Sequence, residues 1–78
     1  MSPKEVLEYI AKNLVDDPDA VSVTETAGDG SVLLRLTVAP EDVGKIIGRQ
    51  GRTARAIRDV MRAAGIRAGI TTVVEIVG

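Results

Sequence analysis

Cysteine, histidine, tryptophan and phenylalanine are all missing from this chain, and Tyr9 is its only aromatic residue. Without cysteine there is no disulfide framework, no thiolate catalysis and no cysteine-bearing metal site. Without histidine the chain lacks the usual general base and the commonest metal ligand near neutral pH. The acid pairs Asp16-Asp17 and Glu41-Asp42 fall at expected helix ends, where capping and loop solvation account for them. The expectation is a protein that is not an enzyme and carries no cofactor and no metal. No apolar run approaches the ~18 residues of a membrane span, and no charged-then-apolar leader opens the chain. A soluble, cytoplasmic protein with no membrane partner follows.

What is present is a single small domain's worth of sequence, 78 residues with 45% hydrophobic and 27% charged side chains. The net charge of -1 conceals a division between the two halves. Residues 1–42 hold three bases against nine acids, a net of -6, whereas residues 43–78 hold seven bases against two acids, a net of +5. Such a chain can attract a polyanion on one face while staying acidic elsewhere.

Local signals give the order of elements. Ser2-Pro3-Lys4-Glu5 is a helix start, with Ser2 as cap, Pro3 in the first turn and Glu5 completing a capping box. Val6, Leu7, Ile10 and Leu14 then recur at helical spacing, and Pro18 prevents continuation. Residues 21–26 alternate with period two and predict a strand; Gly28-Asp29-Gly30 supplies a tight turn with positive-φ residues. Residues 31–38 form the second strand, with Leu34, Leu36 and Val38 on one face. Pro40-Glu41-Asp42 opens a short helix with Val43, Ile46 and Ile47 as its apolar positions, stopped by Gly48. A longer helix is expected from about Gly51 to Ala64, burying Ala54, Ile57, Val60, Met61 and Ala64, with Gly65 as its C-terminal cap. Residues 66–70 read as a loop, and 71–77 as the last strand.

The order α-β-β-α-α-β predicts an α+β domain with a three-stranded mixed sheet. It divides into helix and hairpin (1–38), a helix–loop–helix (40–64) and the last strand (71–77). The long crossover favours parallel pairing of the last two strands, and the right-handed rule places the helices on one sheet face.

The chemically informative segment runs from Val43 to Arg52. Gly48 and Gly51 bracket Arg49 and Gln50 between two helices, so the backbone can turn sharply and approach a ligand without a Cβ in the way. The free N–H groups of the following helix face the same place, a geometry that suits a phosphate. Arg52, Arg55, Arg58 and Arg62 share an arc of about 120° on a helical wheel, and Lys45 and Arg49 add charge at the loop. Taken singly, paired turn glycines also serve as a helix cap, and an arginine stripe also serves as a solvated helix face. Their conjunction with the strand order favours a nucleic-acid site.

With these residues the chain resembles the KH domain, an RNA-binding module whose Gly-x-x-Gly loop grips the nucleic-acid backbone. The matching stretch is Ile46-Ile47-Gly48-Arg49-Gln50-Gly51, followed by Ile57 at helical spacing. The helix and strand placed before the core resemble the type II arrangement. Nearly the whole chain is similar to the KhpA family of small single-KH bacterial RNA-binding proteins. The similarity includes residues 13–18, 38–45 and 52–58. The resemblance implies a type II KH fold and binding of about four nucleotides of single-stranded RNA. Candidate RNA-binding residues are then Lys45, Ile47, Gly48, Arg49, Gln50, Gly51, Arg52 and Arg55. Bases are expected in a groove lined by Val43, Ile47, Ala54 and Ile57, with the edge of the last strand opposite. The family further implies a homodimer, or a heterodimer with a larger KH-containing RNA-binding protein. It also implies a role as RNA chaperone or post-transcriptional regulator, with links to cell shape and division. Ala54 stands where the general KH pattern has a bulky aliphatic, and Thr71-Thr72 where a more basic strand entry is usual.

Two other functions fit parts of the pattern. A helix-turn-helix DNA binder can be built from residues 40–47 and 52–64, but Gly-x-x-Gly is an odd connector for it and the strands are left unexplained. A protein-interaction or assembly module without RNA binding leaves Gly48 and Gly51 as packing glycines. The stretch from Val43 to Arg58 contains no acid, which argues for a maintained anion site.

Overall fold

The capping box expected at Ser2 forms: its hydroxyl accepts the Glu5 N–H at 3.3 Å and its own N–H donates to Glu5 Oε1 at 3.0 Å. In the computed structural model, which describes residues 1–78, helix α1 spans Pro3–Leu14. The Ser2 N–H, and after it the Ser2 hydroxyl, holds the Glu5 carboxyl below its ordinary value of 4.5. Leu7 and Ala11 are buried and Val6 and Ile10 pack against them, whereas Leu14, expected in the same stripe, is 38% exposed at the helix end.

Strands β1 (Ser22–Ala27) and β2 (Ser31–Thr37) pair antiparallel, from Ser22 opposite Thr37 to Ala27 opposite Val32. In the turn between them only Gly30 takes a positive φ, 69°, so the left-handed conformation expected at both glycines is confined to one. Strand β3 (Thr71–Val77) lies on the other side of β2 and parallel to it, from Ser31 opposite Thr71 to Thr37 opposite Val77. The order β1-β2-β3 leaves β3 with one free edge. Val23, Val32, Leu34, Leu36 and Val74 point inward and are buried, while Thr24, Arg35, Val73 and Glu75 alternate outward. The helices therefore cover one sheet face and leave the other open. This is the α+β order with a mixed sheet of a type II KH fold.

The crossover departs from expectation twice. Pro40–Asp42 is a 3-10 turn, and the α-helix that follows, α2 (Val43–Ile47), has only five residues. Helix α3 runs from Arg52 to Ala68, four residues past the expected end, and its C-terminal cap is Gly69 at φ 75° and ψ 25° rather than Gly65. The expected loop at 66–70 shrinks accordingly. Gly65 lies inside α3 and is buried, because there the helix meets β3. A Cβ at Gly65 would stand 2.7 Å from the Ile70 carbonyl oxygen and 2.8 Å from Thr72 Cγ2. Its missing side chain permits close helix–strand packing, which outweighs its poor helix propensity. The Thr72 hydroxyl fastens the same contact by donating to the Met61 carbonyl at 2.9 Å.

The buried face of α3 consists of Ala54, Ile57, Met61 and Gly65. Val60, expected within it, lies at the margin and is 47% exposed. Together with Met1, Pro3, Val6, Ala64 and Arg67 it lines an apolar concavity of about 560 Å3 between α1 and α3.

Candidate nucleic-acid interface

Three consecutive features build the loop between α2 and α3. Gly48 ends α2 at φ 74° and ψ 175°, a region open to glycine and closed to other residues, and its N–H donates to the Gly44 carbonyl at 2.8 Å. Gln50 is the only non-glycine residue with a positive φ, 57°, and Gly51 follows at φ 75° and ψ 12°. A left-handed conformation costs a residue with a Cβ roughly 1–2 kcal/mol. The loop is thus a strained, tightly specified turn, and such strain concentrates at functional sites.

Gly48 has a second constraint. A Cβ there would meet the Thr53 hydroxyl and lie 2.6 Å from Thr53 Cβ, so the first turn of α3 seats directly against the glycine. At Gly51 the space beside the backbone is open, and only the left-handed φ calls for glycine. No side chain caps α3, so no side-chain acceptor occupies its first-turn N–H groups. Those donors and the positive end of a 17-residue helix dipole meet at the loop.

The candidate residues separate into three groups around this turn. Arg49 and Gln50 are exposed at the loop and Gly48 and Gly51 half-buried, with Ile47 half-buried behind them. Arg52 and Arg55 are exposed along the first turns of α3, and Arg52 Nη2 donates to Gln50 Oε1 at 3.0 Å. Lys45 stands apart: its ammonium lies 3.2 Å from Asp16 Oδ2 and 3.8 Å from Asp42 Oδ1. Its hydrogen bond with Asp16, then the Asp16 charge, raises the Lys45 pKa above its ordinary 10.5. The structure thus brings seven of the eight candidates to the loop and turns the charge of the eighth toward the acidic half of the chain. Sequence reasoning missed Asp42, the only buried charged side chain; its sole local signal is the i, i+3 spacing to Lys45.

The arginine face continues beyond the loop. Arg49, Arg55 and Arg58 make no ion pair, while Arg62 donates to Asp59 at 2.8 Å. A cleft of about 240 Å3 lies between α3 and the free edge of β3, lined by Arg58, Arg62, Thr72, Val73 and Val74. At 1.5 Å per residue, Arg52 to Arg62 covers about 15 Å of helix. Of the expected groove residues, Ala54 and Ile57 are buried in the core, and Val43 and Ile47 are half-buried beside it.

No helix is long and apolar enough to cross a membrane, and no three acidic residues converge as metal ligands. Residues 4–76 match the family described as "KhpA/KhpB, KH domain". A protein of Clostridium acetobutylicum named RNA-binding protein KhpA is 55% identical over 74 residues, which cover 95% of this chain and 99% of that one. The protein of the same name from Clostridium perfringens is 54% identical over 74 residues, with the same shares covered. That of Aquifex aeolicus is 47% identical over 73 residues, 94% of this chain and 92% of its own. Matched by the family over residues 4–76 and about half identical to relatives along nearly its whole length, the chain belongs to the KhpA/KhpB KH-domain family.

Proposed function

We propose that the chain binds single-stranded RNA, holding the phosphate backbone at Gly48–Gly51 and laying bases toward the cleft between α3 and β3. The observation that carries this reading is the turn itself. Its left-handed residues lead into the first turn of α3, whose amides have no side-chain cap, beside Arg49, Arg52 and Arg55, which make no ion pair. The names of the relatives, RNA-binding protein KhpA, point the same way.

Amide and arginine contacts to phosphate position a strand without reading its sequence, so preference among sequences is modest. One small loop neutralises few phosphates, and single-strand binding then weakens by about 0.7 log units per phosphate for each tenfold rise in salt. Useful affinity calls for a second site brought close, by a second copy or a larger KH-containing partner, through raised effective concentration. The apolar concavity beside Val60 supports such assembly, and a cytoplasmic RNA chaperone or post-transcriptional regulator is the role that fits. Catalysis has no place in this reading.

The test is the double variant Arg49→Asp with Gln50→Asp, titrated with fluorescent single-stranded RNA. Both glycines remain and aspartate tolerates the left-handed conformation of position 50, so the turn survives while two acids face the phosphate. Loss of binding by a variant with unchanged circular dichroism supports the loop as the site. Unchanged binding overturns it and leaves an assembly module as the function.

A further inference from the structure

Asp42 occupies the N-cap position of α2, yet its carboxylate makes no capping bond to that helix. It reaches instead across 25 residues of sequence, where Oδ2 accepts the Asp17 N–H at 3.1 Å. Its other oxygen faces Lys45, whose ammonium also holds Asp16. The residue is 2% exposed, and no buried side-chain nitrogen or oxygen in the chain lacks a partner. Burying a carboxylate is unfavourable unless it is well bonded, and apolar side chains fill such positions at less cost.

Position explains what the carboxylate does. Helix α2 has five residues, too short to be stable by itself, and Ile46 is its only fully buried side chain. It nevertheless ends directly in Gly48, the first residue of the turn. The connection between α1 and β1, carrying Asp16 and Asp17, is therefore clasped to the start and the middle of α2: Asp42 at its N-cap and Lys45 three residues before Gly48. Lys45 is spent in this clasp. Its charge is met by two carboxylates.

We infer that Asp42 is a positioning residue for the Gly48–Gly51 turn, holding α2 through Asp17 and Lys45, and that Lys45 serves this clasp rather than the RNA. The inference rests on the turn being the RNA site.

Two variants, Asp42→Ala and Lys45→Met, are titrated with a fluorescent oligouridylate over a range of salt, with urea unfolding and amide spectra recorded alongside. Asp42→Ala is expected to weaken binding roughly fivefold and to shift the amides of residues 48–51, while the slope against log salt stays as in the wild type. Asp42→Asn, which keeps an acceptor for the Asp17 N–H, recovers most of the affinity. Lys45→Met is exposed and folds irrespective of the first variant; it is expected to weaken binding roughly twofold without changing the slope. A slope reduced by about 0.7 in Lys45→Met makes Lys45 a phosphate contact and overturns its assignment to the clasp. Folded variants that bind RNA as tightly as the wild type, with only the urea midpoint lowered, reduce Asp42 to a structural role and overturn the inference. If the Arg49→Asp, Gln50→Asp variant still binds RNA, the loop reading fails instead, and the two failures remain distinct.

Discussion

Replacing Gly48 and Gly51 by alanine, one at a time, separates the two glycines that look equivalent in sequence. At Gly51 the left-handed φ of 75° costs alanine roughly 1–2 kcal/mol, and no atom lies within 4 Å of the new Cβ. Alanine also restricts the unfolded chain, which returns about 0.4–1 kcal/mol. The net loss is about 1 kcal/mol. At Gly48 the pair φ 74° and ψ 175° costs a residue with a Cβ roughly 1–3 kcal/mol. Contact with Thr53, whose Cβ would lie at 2.6 Å, adds an overpacking penalty of roughly 1–3 kcal/mol. Centred on about 4 kcal/mol and reduced by the same return of about 0.4–1 kcal/mol, the net loss of about 3–4 kcal/mol is a large fraction of the stability a small domain has. Thermal unfolding followed by circular dichroism reads the difference at about 4–8 °C per kcal/mol for a domain of this size. Gly51→Asn serves as the control, since asparagine tolerates the left-handed region and is expected to cost less than alanine. A Gly48→Ala variant no less stable than Gly51→Ala refutes the turn geometry and the seating of Thr53 against it.

Gly65→Ala is expected to destabilise by roughly 1–2 kcal/mol in urea unfolding, because contact with the Ile70 carbonyl and Thr72 outweighs the gain in helix propensity; a stabilised variant would mean that α3 and β3 sit farther apart. Glu5 has a lowered pKa in the folded chain, so its contribution is present above 4.5 and is lost as pH falls through the lower folded value. Glu5→Gln, which resembles the protonated form, is therefore less stable than the wild type at neutral pH and matches it in acid, as unfolding midpoints across pH will show. Arg55→Gln is expected to reduce the salt slope of RNA binding by about 0.7, whereas Arg67→Gln, beside the apolar concavity, leaves it unchanged.

Much of the fold was legible because its signals are local. Ser2, Pro3 and Glu5 announce the first helix by a capping box that closes within four residues. Alternation along β2 predicts its buried set, since a strand with one face on the core must repeat every second residue. The Gly-x-x-Gly spacing and the arginines at 52, 55 and 58 mark the loop and its charged helix face for the same reason: neighbours on a helix or in a turn are neighbours in sequence.

Wherever a residue's role depends on a distant part of the chain, the sequence was silent or misleading. Gly65 reads as a cap because a glycine after an apolar stripe commonly is one; β3, packed against it, makes it an interior residue. Lys45 stands beside the loop in sequence, and its ion pair with Asp16, 29 residues earlier in the chain, has no local signal. Asp42 reads as a solvated acid at a helix start until the Asp17 N–H comes to meet it. The sequence by itself thus determined the elements, their order, the turn and the family. The tertiary structure alone decided which charges are paired across the chain and which one is buried, because ion pairing and burial are set by through-space distance, which no linear spacing encodes.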